Sequence, residues 1–251
     1  MEHTPPRPPD RVDVHDGLAY TLWLPDLIGA EDTRGLSTRP LPPPPWPGII
    51  VLHGAGSRKE NHADFARLAA GAGWAAIVFD QRGHGESEGE MGPEAFEDVG
   101  AMARLLAAST GVDPKRIAVR GSSMGGFMAI HAAARDPVVA GVIAVCPASE
   151  DHLARGLRRG DFEMRVGDPV ATELWLAQSD LGDAVENMGG RPLFLMHAEG
   201  DEQIPSWHSE ELAERAREPK RLLLVPGGDH RSLQHDAELQ SAALRWLESR
   251  I

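Results

Sequence analysis

One cysteine, Cys146, stands in a chain of 251 residues, so no intramolecular disulfide framework can form. It ends the apolar run Gly141-Val142-Ile143-Ala144-Val145, and its thiol is therefore expected to be buried and inert. No apolar run approaches the length needed to cross a bilayer. The proline-rich segment from Met1 to Asp10 has no apolar core of the kind a secretion signal needs. Those absences set the expectation of a cytoplasmic protein with no membrane partner. Positive charge is also scarce. With 25 Lys and Arg against 38 Asp and Glu, the formal net charge is −13, which opposes binding to nucleic acid or to an anionic membrane. The densest acidic cluster, Glu86, Glu88, Glu90, Glu94, Glu97 and Asp98, reads as a solvated surface. Signatures of metal and nucleotide sites are missing too. There is no His-Glu-x-x-His pair and no cysteine pair. The segment His53-Gly54-Ala55-Gly56 lacks both the third glycine of a dinucleotide fingerprint and the Gly-Lys-Ser/Thr of a phosphate loop. No metal and no cofactor are expected.

What the chain does have is enough apolar residue, 41%, to build a core, with 25% charged residues to cover it. Short β-prone runs alternate with longer helical patterns. Leu18 to Leu24 reads as an early antiparallel strand, with Arg11 to His15 as a partner. The segment Arg39 to Pro47 holds six prolines and is expected to be a surface connection, able to enter neither helix nor central strand. Strands are then predicted at 48–52, 74–79, 117–120, 139–145, 192–196 and 221–225. Helices are predicted at 61–71, 93–108, 123–135, 206–217 and 234–249. Such alternation predicts an α/β fold, a mainly parallel sheet with helices on both faces, whose reactive groups gather at the carboxyl ends of the strands. Between Pro147 and Arg191 the pattern gives only helical pieces, which suggests a short helical cap over about 148–190. The expected organisation is a flexible proline-rich N-terminus, 1–10, followed by one domain over 11–251.

The most informative segment is Gly121-Ser122-Ser123-Met124-Gly125, set between a β-prone run and a helical one. A Gly-x-Ser-x-Gly turn between strand and helix lifts one serine out of the fold and aims the next amide at a developing oxyanion. The spacing selects Ser123, because only Ser123 has glycine two residues before and two after it. A serine hydroxyl needs a base, and the base needs an acid to hold its tautomer. Among 11 histidines, His230 follows a predicted strand, sits in the glycine-rich loop Pro226-Gly227-Gly228-Asp229-His230, and precedes the last helix. His208 and His235 fall in or near helices. Asp201, in the loop after the strand at 192–196, is the candidate acid, ahead of Glu199, Glu202 and Asp229. The oxyanion donors are expected to be the amides of Met124 and Ala55, with Gly56 as the fallback for the second.

Together these residues resemble the α/β-hydrolase family from about Val12 to the C-terminus. The chain order Ser123, Asp201, His230 is the family's order. The run Asp80-Gln81-Arg82-Gly83-His84-Gly85-Glu86-Ser87 is similar to the family's Asp-x-Arg-Gly-His-Gly-x-Ser loop, where Arg82 and His84 are expected to tie loops together. Within the family, His53 through Glu60 most resembles bacterial esterases and serine aminopeptidase-like hydrolases. Two departures stand out: His197-Ala198 replaces the usual His-Gly, and no His-Gly-Gly-Gly string is present. The resemblance implies a serine hydrolase that cleaves a small or medium carboxylic ester through an acyl-enzyme on Ser123, with no cofactor. A thioester or a peptide or amide are alternative substrates, and a noncatalytic ligand-binding member of the fold is the alternative class. Phe162, Leu174, Trp175 and Leu176 are candidates for the apolar lining of the substrate pocket.

Overall fold

Strands β1 (Arg11–His15), β2 (Leu18–Trp23), β3 (Trp46–Leu52), β4 (Ala75–Phe79), β5 (Val112–Ser122), β6 (Val139–Val145), β7 (Leu193–Ala198) and β8 (Lys220–Val225) form one sheet. Their spatial order is β1-β2-β4-β3-β5-β6-β7-β8. The first two strands run antiparallel, and β3 to β8 are mutually parallel. The computed structural model describes residues 6–25 and 43–251. The expected flexible N-terminus falls outside that range over 1–5, and the proline-rich connection over 39–42. Within it, Arg7 pairs with Asp10 and donates to the Leu24 carbonyl, which ties this end to β2.

Helices α1 (Ala63–Gly71), α2 (Ala95–Ala107), α3 (Met124–Arg135), α4 (Glu150–Arg159), α5 (Pro169–Ala177), α6 (Leu181–Asn187), α7 (Trp207–Arg215) and α8 (Ala237–Glu248) are the α-helices of the described residues. Every residue of β3 and β4 is buried, as a parallel sheet covered on both faces requires. The two apolar clusters lie on opposite faces. One packs α2, α3 and α6 against Ile50, Leu52, Ile77 and Val119. The other packs α1 and α8 against Ile49, Val51, Val78 and Ala118, the alternate residues of the same strands.

Two expectations need correcting. Pro47 lies inside β3, a central strand, and the predicted strand starts two residues early, at Trp46. The ladder between β3 and β5 is irregular between Trp46 and Gly48, so the missing proline N–H falls where regular pairing is already broken. The predicted helix 234–249 is also divided. Residues Ser232–His235 form a 3-10 turn, and α8 starts only after Asp236, whose extended backbone and carboxylate cap the amides of Glu238 and Leu239. Such a cap contributes about 1 kcal/mol, enough to set the helix start.

Among the described residues no strand lies between β6 and β7. Ser149 caps α4, Gly160 ends it in the left-handed region at φ 70, and Asp168 with Pro169 opens α5. Helices α4 and α5 pack on each other, whereas α6 packs on α3 and α7. The connection between α4 and α5 lies over the strand ends. Arg165 donates its amide to the Gly83 carbonyl at 2.8 Å, and Met91 donates to Arg165 at 2.9 Å.

Candidate active site

Ser123 stands between β5 and α3 with φ 54 and ψ −119, a conformation that L residues rarely adopt. A strain of this kind costs on the order of 1–3 kcal/mol and persists only where the surroundings over-determine it. Here they do. The Ser123 amide donates to the Val145 carbonyl at 2.9 Å, and its carbonyl accepts from Gly126, Phe127 and Ala148. A Cβ at Gly121 would collide with the Gly125 carbonyl, and one at Gly125 with the Leu52 carbonyl. The glycine spacing that selected Ser123 is thus a steric requirement of the turn. Ser122 is buried and donates to Gln234 Oε1 at 2.9 Å, so it serves the framework.

Asp201 and His230 meet as predicted. His230 Nδ1 donates to Asp201 Oδ2 at 2.7 Å, which leaves Nε2 as the basic nitrogen. Their loops are laced together by backbone bonds from Glu199 to Val225 and from Gly200 to Gly227. Gly228 takes φ +74 at the turn, and a Cβ there would lie 2.6 Å from Ser232 Oγ. Asp201 Oδ1 accepts the amides of Gln203 and Ile204, both at 2.9 Å. Its Oδ2 also lies 3.2 Å from Nε2 of the buried His197. Burial alone would push this carboxyl up, but the hydrogen bonds from His197, His230 and the Ile204 amide override that and hold it well below the usual carboxylate range. The departure from the family pattern here is Ala198; His197 matches the family's usual histidine, and the sequence alone gives it no role. Its Nδ1 accepts from Ser209 Oγ at 2.7 Å and its Nε2 donates to the Ile204 carbonyl at 2.9 Å, which fixes the tautomer that faces Asp201.

Ser123 and His230 line one cleft of about 830 Å³ together with Gly54, Ala55, His152 and Phe162. Ser123 Oγ and His230 Nε2 make no hydrogen bond among the described residues, including to each other. Bonds of this kind commonly tighten only in the substrate complex. Met124 begins α3, where a helix leaves its first amides without internal partners. Neither the Met124 amide nor the Ala55 amide is used elsewhere among the described residues. The fallback donor is removed, because the Gly56 amide donates to His84 Nε2 at 3.1 Å. A Cβ at Gly54 would sit 3.3 Å from that of Ser123, so the glycine lets the loop approach the elbow closely.

The loop after β4 fastens this arrangement. Arg82 forms a two-pronged pair with Asp98 of α2, with both contacts at 2.6 Å. His84 Nδ1 donates to the Arg82 carbonyl at 3.2 Å, and burial lowers its pKa, which suits the neutral tautomer that accepts from Gly56. His53 accepts the Gln81 amide at 3.1 Å, and burial followed by the His84 charge lowers its pKa to about 4. Deeper still, Lys59 Nζ contacts Asp80 Oδ2 at 2.8 Å, with the two side chains 2% and 0% exposed. Both residues fall in segments that carry the family resemblance, but nothing in the sequence pairs them, since the two are apart along the chain. Removing one partner leaves a buried charge without compensation. Lys59→Met is expected to lower unfolding free energy by about 3–5 kcal/mol in chemical denaturation; a loss under about 1 kcal/mol would show the pair to be dispensable.

Arg120, fully buried, joins the elbow strand to the histidine loop. It donates to the Gln234 carbonyl at 3.0 Å and to Gln240 Oε1 at 3.3 Å, and burial lowers its pKa to about 10. Cys146 is buried as expected, at φ 43, and burial with the added Asp201 charge pushes its thiol up to about 12. Cys146, Asp201 and His230 place their donor atoms within 4.8 Å of one another.

The four candidate lining residues separate. Phe162 lies on both the main cleft and a small apolar pocket, while Trp175 and Leu176 lie on the small pocket alone. Leu174 lines neither and is 58% exposed, because it occupies the solvent face of α5 between inward turns. The small pocket is walled by Met91, Met124, Met128 and Met164, and its open space is only about 10 Å³. Phe162 lies against Gly156 of α4, where a Cβ would strike the ring, which explains a glycine in the middle of that helix.

Comparison with known proteins bears on the family and the fold. Residues 44–189 match the family described as serine aminopeptidase, S33. The chain is 27% identical over 186 residues to the uncharacterized protein YfhR of Escherichia coli K12, covering 72% of this chain and 62% of that protein. It is 32% identical over 191 residues to the quorum-quenching protein AidA of Acinetobacter baumannii, covering 73% and 58%. The match thus spans about three fifths of the length of these curated relatives. Est1E from Butyrivibrio proteoclasticus, solved with ferulic acid bound, superposes with a TM-score of 0.70 at 19% identity, covering 94% of this chain and 96% of that one. A likeness at that identity speaks for the fold. With the family match covering more than half of the sequence, the chain belongs to the serine aminopeptidase, S33 family of α/β-hydrolases.

Proposed function

We propose that this protein is a serine hydrolase that cleaves small carboxylic esters through an acyl-enzyme on Ser123. The observation that carries the reading is the Asp201–His230 pair and the strained Ser123 on the wall of one cleft, beside two unused amides. Ser123 Oγ attacks the ester carbonyl carbon while His230 Nε2 takes its proton, and Asp201 stabilises the resulting imidazolium. The Ala55 and Met124 amides receive the oxyanion. Collapse breaks the bond to the leaving oxygen, which takes the proton from His230. Water then repeats the sequence on the acyl-enzyme, so one ester and one water yield an acid and an alcohol. No cofactor takes part in these steps.

Helices α4 and α5, within the interval 148–190, serve in this reading as a cap. The acyl group is assigned to the pocket next to Met124, whose open space is about that of one water molecule, so its methionine walls must part to admit a chain and longer chains are disfavoured. Methionine walls can shift, but inserting extra methylenes into a filled space is unfavourable. On 4-nitrophenyl esters, kcat/KM is expected to fall roughly tenfold from butyrate to octanoate. Phe162→Ala should join the pocket to the main cleft and flatten that decline. An unchanged length profile in Phe162→Ala would place the acyl group elsewhere. Assay of a matched thioester and an aminoacyl amide beside the butyrate ester tests the substrate class; faster turnover of either would replace the ester.

A further inference from the structure

The wall of the cleft away from the elbow carries three arginines, Arg155, Arg159 and Arg231. Several arginines elsewhere in this acidic chain are ion-paired: Arg82 with Asp98, Arg104 with Asp136, Arg158 with Glu173, and Arg215 with Asp183 and Glu186. The three on the cleft engage no side-chain partner among the described residues. Arg155 and Arg159 are one turn apart on α4, so they lie on the same face, and His152 one turn earlier lines the cleft with them. Arg231 adjoins His230 and enters from the opposite loop. Two carboxylates share this wall, Asp161 and Glu202. Neither comes within ion-pair distance of the three arginines, and Glu202 is turned to the His230 amide and the Gln203 side chain. Cations outnumber anions here in a protein whose net charge is −13. Guanidinium groups left unpaired at the mouth of a concave site offer planar forks that fit carboxylate or phosphate oxygens.

We infer that Arg155, Arg159 and Arg231 form a subsite for an anionic group, carboxylate or phosphate, carried on the leaving-group side of the substrate. The side follows from the division of space, with the small apolar pocket beside Met124 on the acyl side and the wide polar cleft on the other. This inference rests on the ester-hydrolase reading for its orientation, and its test separates the two.

The test compares 4-carboxyphenyl acetate, 4-carbamoylphenyl acetate and 4-phosphonooxyphenyl acetate as substrates of the full chain. The wild type is expected to favour at least one anionic ester over the neutral amide by about tenfold in kcat/KM, expressed in KM. Which anion is preferred identifies the group. Arg155→Gln with Arg159→Gln should bring that ratio close to one, and added salt should shrink it in the wild type. Arg245→Gln, an exposed arginine of α8 away from the cleft, should leave the ratio unchanged. Equal rates for charged and neutral esters, or a preference that survives the double substitution, would overturn the subsite. If none of the esters turns over, the hydrolase reading fails, and calorimetry still judges the subsite. Ser123→Ala should bind 4-hydroxybenzoate or 4-hydroxyphenyl phosphate more tightly than 4-hydroxybenzamide, and the preference should vanish with both arginines replaced. Equal affinities would refute it.

Discussion

Ser123→Ala is expected to reduce ester turnover by at least about four orders of magnitude while leaving the fold intact. The size follows from the loss of covalent catalysis. Without a nucleophile the cleft retains only binding and oxyanion stabilisation, which in triad enzymes leave a small residual acceleration. The fold should survive, because Ser123 Oγ makes no hydrogen bond among the described residues and the turn is held by its backbone. Relief is conceivable only through the backbone, and alanine carries the same Cβ at φ 54 as serine does. Thermal denaturation should therefore show a midpoint close to that of the wild type. Full turnover of 4-nitrophenyl butyrate by Ser123→Ala would remove Ser123 from the mechanism.

Asp201→Asn is expected to cost about four orders of magnitude in kcat by favouring the wrong tautomer of His230. The local geometry makes the substitution harsher than a simple loss of charge. Three N–H groups donate to the two oxygens, the Gln203 and Ile204 amides to Oδ1 and the His230 ring to Oδ2, and the His197 ring lies 3.2 Å from Oδ2 as well. Either orientation of an asparagine amide sets its own N–H₂ against at least one of these donors, so stability should fall along with activity. The sign of the pH dependence follows from the same contacts. The folded-state pKa of Asp201 is depressed, so its contribution to stability is present above the ordinary carboxylate pKa of about 4 and is lost as the pH falls through the depressed folded value. Asp201 then stays ionised across the neutral range, and the acidic limb of a kcat/KM profile belongs to another group. A near-normal rate in Asp201→Asn would transfer the acid's role to another side chain, Glu199 first. His230→Ala measured alongside should match the loss, and the double variant should lose little more, since groups acting as one unit are not additive.

The sequence told most where function is written in a few adjacent residues. Ser123 was legible because the steric demands of its turn fall on Gly121 and Gly125, two positions away on either side. Asp201 and His230 were legible because each follows a strand, and strand ends in a parallel sheet converge. What stayed hidden depends on contacts between distant segments. Lys59 and Asp80 stand in segments that carry the family resemblance, but that they pair is visible only once the fold buries them together. His197 supports Asp201 only because β7 and the loop after it fold back on each other. Leu174 was misplaced because an apolar run on a short helix does not say which residue faces inward, and the contacts of Trp175 and Leu176 decide it. Pro47 entered a central strand because a ladder irregularity accommodated it, and no local signal marks such an irregularity.

Cys146 illustrates a reading that was right for a partial reason. Its apolar setting predicted a buried thiol, and the fold adds that Asp201 and His230 lie beside it. The buried thiol, the saturated carboxylate and the oriented imidazole are parts of one packed wall behind the cleft. That wall sets the position of His230 before any substrate arrives, which is the preorganisation that the proposed chemistry requires.

The most direct measurement is the site of modification by a fluorophosphonate, read by mass spectrometry of the digested protein. The account predicts a single phosphonyl adduct on the peptide containing Ser123, formed in the wild type and abolished in both Ser123→Ala and His230→Ala. An adduct on any other residue, or labelling that persists without His230, would contradict it.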